Sequence, residues 1–221
     1  MDPAAAGHRR QRQLQHQGGP LTRRESAARA RILDTATGLF YVHGIRGVGI
    51  DAIVAASGVA KATLYAHFPS KEDLVLAYLA RSDEAWRGKL RAAADAAGPD
   101  PRDQLVGLFD ALHEACVRDG FRGCPFINTA AESPPGSAVH GATVAHKQVV
   151  RAWVAQLATQ AGATDPDGLA RALTVILDGA MAAGALEPTP DLARQARQVA
   201  STLVDAACAP ADGAPAGGAA P

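Results

Sequence analysis

Cysteine is scarce. The three thiols, Cys116, Cys124 and Cys208, are an odd number with no Cys-x-x-Cys spacing. That argues against a disulfide framework and against a zinc cluster, and reduced cytosol is the compartment that suits such a chain. Long apolar runs are lacking too. Charges, glycine or proline interrupt every stretch before the ~18 residues that a membrane span needs, so no membrane partner is expected. Arg9, Arg10 and Arg12 are not followed by an apolar segment, which excludes a secretory signal. No β-branched run alternates with polar residues between turn dipeptides, so no sheet is expected. Net charge is zero, with 22 Lys+Arg against 22 Asp+Glu, far from the imbalance of a disordered chain.

What is present is a folding composition. Apolar residues make up 48% and charged residues 20% of 221, enough to bury a sizeable core in one domain or two small ones. The zero charge is a cancellation. Residues 1–91 hold 14 Lys+Arg and 8 Asp+Glu, a net of +6, and residues 92–221 carry the opposite net. A basic half suggests a polyanion partner. An Arg-rich tail would give the same sum, so the motifs have to decide.

Residues 1–22 are Gln, Gly, Ala and Arg and read as a disordered basic tail. Residues 209–221, rich in Pro, Gly and Ala, read as a second tail. Between them the apolar spacing is helical: Ile32, Leu33, Ala36, Leu39 and Phe40 form one stripe, and Leu105, Leu108, Phe109, Leu112 and Cys116 another. Breakers fall between the stripes. Gly44 closes the first helix and Gly58 separates two short ones. Ser70, with Asp73 three residues on, caps the next, and after Gly98-Pro99-Asp100-Pro101 a helix starts at Asp103. The pattern predicts an all-α chain of about nine helices.

Residues 50–68 carry the chemistry. Ile50, Ile53 and Val54 make one apolar edge of a two-turn helix, Gly58 permits a left-handed turn, and Val59 plugs the corner. Leu64 and Phe68, four apart, bury one face of a second helix, while Lys61, Thr63, Tyr65 and His67 occupy the other. That is a helix-turn-helix layout. An ordinary αα-corner is the plain alternative, but it has no need of four hydrogen-bonding side chains on one exposed face.

Gly44, Ile50-Asp51-Ala52-Ile53 and the contiguous run from Ser57 to Leu74 resemble the signature of TetR/AcrR-type transcriptional regulators. The match covers roughly residues 23–80; Gly123–Glu132 is similar to a segment at the start of the sixth helix in one branch of that family. The resemblance implies an all-α homodimer with a three-helix DNA-binding domain, placed here at 23–69. A larger effector-binding and dimerisation domain follows at 70–208. It further implies a repressor that leaves a palindromic operator when a small molecule binds. Val48 and Gly49 depart from a common Thr-Thr pair, Ala60 stands where a serine often caps the recognition helix, and Ala62 where glycine is common. Tyr65, His67 and Lys71 suit phosphate contacts, Lys61 and Thr63 base edges, and Arg23, Arg24 and Arg46 a neighbouring phosphate or groove. Arg23 and Arg24 are equally readable as a solvated charge pair.

The remaining side chains have competing readings. Phe109, Leu112, His113, Cys116, Phe121, Phe126, Trp153 and Met181 are candidates for a pocket holding a small, largely apolar ligand, or plain core. His113, spaced from Phe109 and Cys116, is expected to face the interior. Leu173, Ile176, Leu177, Val199 and Leu203 are candidates for a four-helix dimer interface, or for their own core. Cys124 with His113 or His140 lacks an orienting third group for catalysis, and His140 and His146 lie at i, i+6, unsuited to a shared metal on one helix. No enzyme activity, cofactor or metal is expected. The rival readings are an activator, a regulator with a protein partner, and a helical enzyme or scaffold.

Overall fold

The computed structural model describes residues 23–187 and 189–208, with only the backbone at Arg23, Arg24, Ser26 and Pro190. The expectations for the two tails and for the Arg23 and Arg24 side chains lie outside what is described. Among the described residues there are nine helices and no strand: α1 Arg23–Gly47, α2 Ile50–Ser57, α3 Lys61–His67, α4 Lys71–Ala96, α5 Pro101–Cys116, α6 Pro125–Glu132, α7 Ala138–Gln160, α8 Pro166–Leu186 and α9 Pro190–Ala207.

The breakers act as the sequence implies, with two adjustments. Gly44 does not end α1 outright. It takes φ 77° and ψ 160°, a conformation open to glycine, and a last turn continues to Gly47 beyond the kink. The helix after the Gly-Pro-Asp-Pro run starts at Pro101, two residues before Asp103, because Asp100 caps it by accepting the Arg102 N–H at 2.8 Å. Ser70 and Asp73 make a full capping box on α4, each side chain receiving the other's backbone N–H at 3.0 Å.

Helices α1–α3 close around Ile32, Ala36, Phe40, Val48, Ile53, Val59, Leu64 and Phe68, all buried. The Arg29 guanidinium caps this small core over the Phe68 ring, 4.9 Å from its centroid. The long α4 carries the chain out of it. Its Tyr78 ring meets Phe40 of α1 at 5.7 Å, and Arg81 pairs with Asp34. Beyond, α4, α5, α7, α8 and α9 form a bundle in which α5 is sandwiched between α4 and α9. The short α6 lies against α7 and reaches back to α1.

Helix α8 is apolar on two faces. Leu169, Leu173, Leu177, Ala180 and Met181 face the core, while Val175, Gly179, Ala182 and Leu186 form an exposed stripe at i, i+4, i+7, i+11. Two apolar faces raise its mean hydropathy to 1.5, so by length and composition it could cross a membrane. The interruptions expected from the sequence are present, at Arg171, Asp178, Gly179 and Gly184. Its two interior charges, Arg171 and Asp178, do not lower the average enough. Its packing against α5, α7 and α9 accounts for it as a bundle helix.

Candidate DNA-binding face and ligand cavity

Helix α3 is held by Leu64, which is fully buried, and by the turn at Gly58, whose φ of 65° is left-handed. Lys61 and Tyr65 are exposed; Thr63 and His67 are half-buried. Ala60 and Gly49, which cap α3 and α2, make no side-chain cap, and Val48 is core. The backbone N–H groups at both helix starts are therefore left for an outside acceptor. Lys71 opens α4 as its first residue, half-buried beside the Ser70 cap. Arg46 extends from the last turn of α1, exposed.

Lys61 is not idle. Its ammonium lies 2.7 Å from Asp51 Oδ1 on α2, and this hydrogen bond raises the lysine pKa. In the sequence Asp51 is one residue of the motif, ten positions from Lys61, and only the α2–α3 corner brings the two together.

The second site is a cavity of about 330 Å³, walled mainly by apolar atoms. Helix α1 contributes Thr37, Gly38 and Tyr41; α4 contributes Tyr78, Trp86 and Lys89. The segment after α5 contributes Arg118, Asp119, Phe121 and Cys124, and Phe126 and Met181 close the far side. Three expected pocket residues, Phe121, Phe126 and Met181, are thus in its wall. Phe109 and Leu112 are fully buried in the bundle core, and Cys116 is buried against Gly184. His113 is exposed, contrary to expectation. The buried face of α5 centres on Leu105, Leu108, Leu112 and Ala115, and a further 100° of rotation carries His113 past its edge. Trp153 is not in the wall. It is half-buried, with the Arg91 guanidinium 6.0 Å from its ring centroid.

Behind the cavity lies a polar cluster. Phe126 stacks on His146 with centroids 3.5 Å apart. His146, 2% exposed at its side chain, bonds Asp83 through Nδ1 at 2.6 Å, and Asp83 also pairs with Arg87 at 2.7 Å. Burial pushes the His146 pKa down against the pull of Asp83, so the ring is neutral at pH 7 and donates Nδ1–H. For Asp83, burial opposes ionisation, but the bonds from His146 and Arg87 outweigh it and lower the pKa. Lys147 pairs with Asp178 and donates to Cys124 Sγ at 3.5 Å. On the wall itself, the Tyr41 hydroxyl donates to Gly123 O and accepts the Arg122 N–H at 2.9 Å; burial raises its pKa.

Of the proposed interface residues, Leu173 and Leu177 face their own core, because they lie on the inner face of α8. Ile176 and Leu203 are half-buried, and Val199 is 50% exposed. Ile176 and Leu203 pack against the core, while Val175 and Leu186 of α8 and Val199 of α9 are exposed apolar side chains.

Residues 32–78 match the model of "Bacterial regulatory proteins, tetR family". The fold is similar to that of SCO4454, a TetR-family transcriptional regulator from Streptomyces coelicolor. The TM-score is 0.78 at 38% identity, over 83% of this chain and 97% of that one. Rv1255c of Mycobacterium tuberculosis, named an uncharacterized HTH-type transcriptional regulator, is 31% identical over 150 residues, 67% of this chain and 70% of that protein. The chain belongs to the TetR family. It is a DNA-binding transcriptional regulator of helix-turn-helix type, not an enzyme. Among other relatives, LmrA of Bacillus subtilis, named an HTH-type transcriptional regulator, is 33% identical over 109 residues, 48% of this chain. KstR2 of Rhodococcus jostii, a transcriptional repressor, is 35% identical over 91 residues, 41% of this chain. The matches span 57% of LmrA and 44% of KstR2.

Proposed function

We propose that this regulator is a cytoplasmic homodimeric repressor that occupies a palindromic operator and is released by a small, largely apolar ligand. The observation that carries the reading is the cavity's position. Its wall is shared by α1 of the DNA-binding domain and by α4, α6 and α8 of the second domain, so filling it acts on the placement of α3. A ligand shifts the balance only by its differential affinity for the two arrangements.

On DNA, Lys61 and Thr63 reach base edges. Tyr65, His67, Lys71 and Arg46 engage phosphates, with Arg23 and Arg24 alongside. One helix of seven residues reads few bases, so two are presented by a two-fold axis through the exposed apolar stripes of α8 and α9. Half-sites then suit helices about 34 Å apart or somewhat more. KstR2, named a repressor, supports the sign of regulation.

The test is a mobility shift on the DNA upstream of the protein's own gene, with sedimentation at micromolar concentration. A dimer that retards this DNA, and loses it to an apolar compound, supports the reading. A monomer with full affinity, or DNA binding indifferent to every compound that enters the cavity, overturns it.

A further inference from the structure

Among the described residues, Thr37 Oγ1 is the one buried side-chain oxygen or nitrogen without a hydrogen-bond partner. A threonine inside a helix can return its hydroxyl to the carbonyl four residues back, as Thr35, Thr159 and Thr202 do in this chain. Thr37 does not, and its side chain is in the cavity wall. A buried polar group left in this state points to a partner that arrives from outside. The neighbouring Tyr41 hydroxyl cannot serve the same purpose, because Gly123 and Arg122 already use its donor and an acceptor site.

A charge accompanies the hydroxyl. Arg118 lines the mouth of the same cavity, exposed, with Lys89 and Asp119 also in the wall; none of the three makes an ion pair among the described residues, so the lining carries a net positive charge. The Arg118 charge acts on Tyr41, which lies one helical turn along α1 from Thr37. The wall also holds the apolar and aromatic side chains of Trp86, Phe126 and Met181.

We propose that the effector is a small apolar molecule bearing one acidic oxygen function, a carboxylate or a phenol. Its oxygen bonds the Thr37 hydroxyl beside Arg118 while its body lies against Trp86 and Phe126. The ligand thereby holds the first helix of the DNA-binding domain directly, and not only the bundle. The proposal rests on the ligand-release reading and specifies its ligand.

The probes are 2-naphthoate and 2-naphthol, with naphthalene as the oxygen-free control. Each is titrated against the full chain carrying Trp153→Phe, which leaves Trp86 as the single indole reporting from the cavity wall. Thr37→Val keeps the shape and removes the hydroxyl, Thr37→Ser keeps the hydroxyl, and Arg118→Gln removes the charge. Thermal melts confirm that each variant is folded. Saturable quenching by both acids is expected, weakened about tenfold in Thr37→Val and restored to within about twofold in Thr37→Ser. Naphthalene binding should not respond to Thr37→Val, and Arg118→Gln should weaken naphthoate more than naphthol. Equal naphthoate affinity for wild type and folded Thr37→Val overturns the proposal, as does naphthalene binding as tightly as the acids, or no saturable quenching by either acid. Operator release is read separately. Thr37-dependent binding without release of DNA would keep this site and remove the repressor-release reading.

Discussion

The Glu132 carboxylate accepts the Arg46 backbone N–H at 2.7 Å, so the last residue of α6 is fastened to the last turn of α1. The contact depends on Gly44. Its φ of 77° turns the chain toward α6, and a Cβ at that position would overlap the Glu132 carboxylate. Gly44→Ala therefore meets both backbone strain and a clash. It should lower stability by about 1–3 kcal/mol in urea unfolding. Glu132→Ala leaves the backbone relaxed and should lose about 1 kcal/mol through the N–H bond alone. If Gly44→Ala melts like wild type, the kink is not imposed by this contact.

The Asp51–Lys61 pair joins the two helices of the DNA-binding motif on an exposed surface, where such pairs contribute little to stability. Asp51 instead competes with DNA for the Lys61 ammonium. Asp51→Asn should tighten binding to unrelated DNA and steepen its salt dependence, with the melting temperature unchanged. Lys71→Ala should weaken all sequences alike and flatten the log–log salt slope by about 0.9. Lys61→Ala or Thr63→Ala should change base preference in a competition assay. A Lys71→Ala protein with unaltered affinity and slope would show that the proposed docking is wrong.

On α8 and α9, inward and outward apolar residues should separate cleanly by mutation. Val199 is half exposed and Leu173 fully buried. Val199→Asp should give a folded monomer that no longer retards operator DNA. Leu173→Asp buries a charge in the protomer's own core and should unfold it, a loss of several kcal/mol. Sedimentation and circular dichroism distinguish these outcomes. A Val199→Asp protein that stays dimeric would move the interface off this face.

The helices were readable from residues 23 to 208 because their apolar stripes are long and their breakers are chemically distinct. Gly58 and the Pro-containing linkers act through local backbone preference, and Ser70 through its side-chain cap. The exposed side of α3 was readable for the same reason: Leu64 and Phe68 fix which side is inside. The cavity was not, because it is made by approach of α1, α4 and α6, and helical spacing says nothing about which buried face meets a void. Thus Phe109 and Leu112, legitimate members of an apolar stripe, are solid core, while Thr37, a polar residue on α1, is in the wall. His113 shows the limit of periodicity at the edge of a stripe, where one residue's rotation separates interior from solvent.

The buried histidine makes the bundle sensitive to mild acid. His146 has its pKa lowered in the fold, chiefly by burial, whereas an unfolded histidine titrates near 6.5. Above that value both states hold a neutral ring and its contribution is complete. As pH falls below it, the unfolded chain takes up a proton that the folded chain refuses, so stability declines until the lower folded pKa is passed. Asp83 has a lowered pKa as well, so its contribution is lost only in stronger acid, below the usual carboxylate value. The groups around the ring explain why protonation is resisted. Lys147 adds a neighbouring positive charge, and Asp83 already shares its carboxylate with Arg87. Phe126 stacks on the ring face and also lines the cavity, so loosening His146 loosens that wall. The melting temperature should therefore fall between pH 7 and pH 5, with quenching of Trp86 by 2-naphthol weakening over the same interval. 2-Naphthol keeps its proton throughout that range, so its own charge does not confuse the reading. His146→Asn should start from a lower melting temperature and lose this acid-dependent component. If His146→Asn retains the full wild-type slope between pH 7 and pH 5, the ring is not the group that titrates.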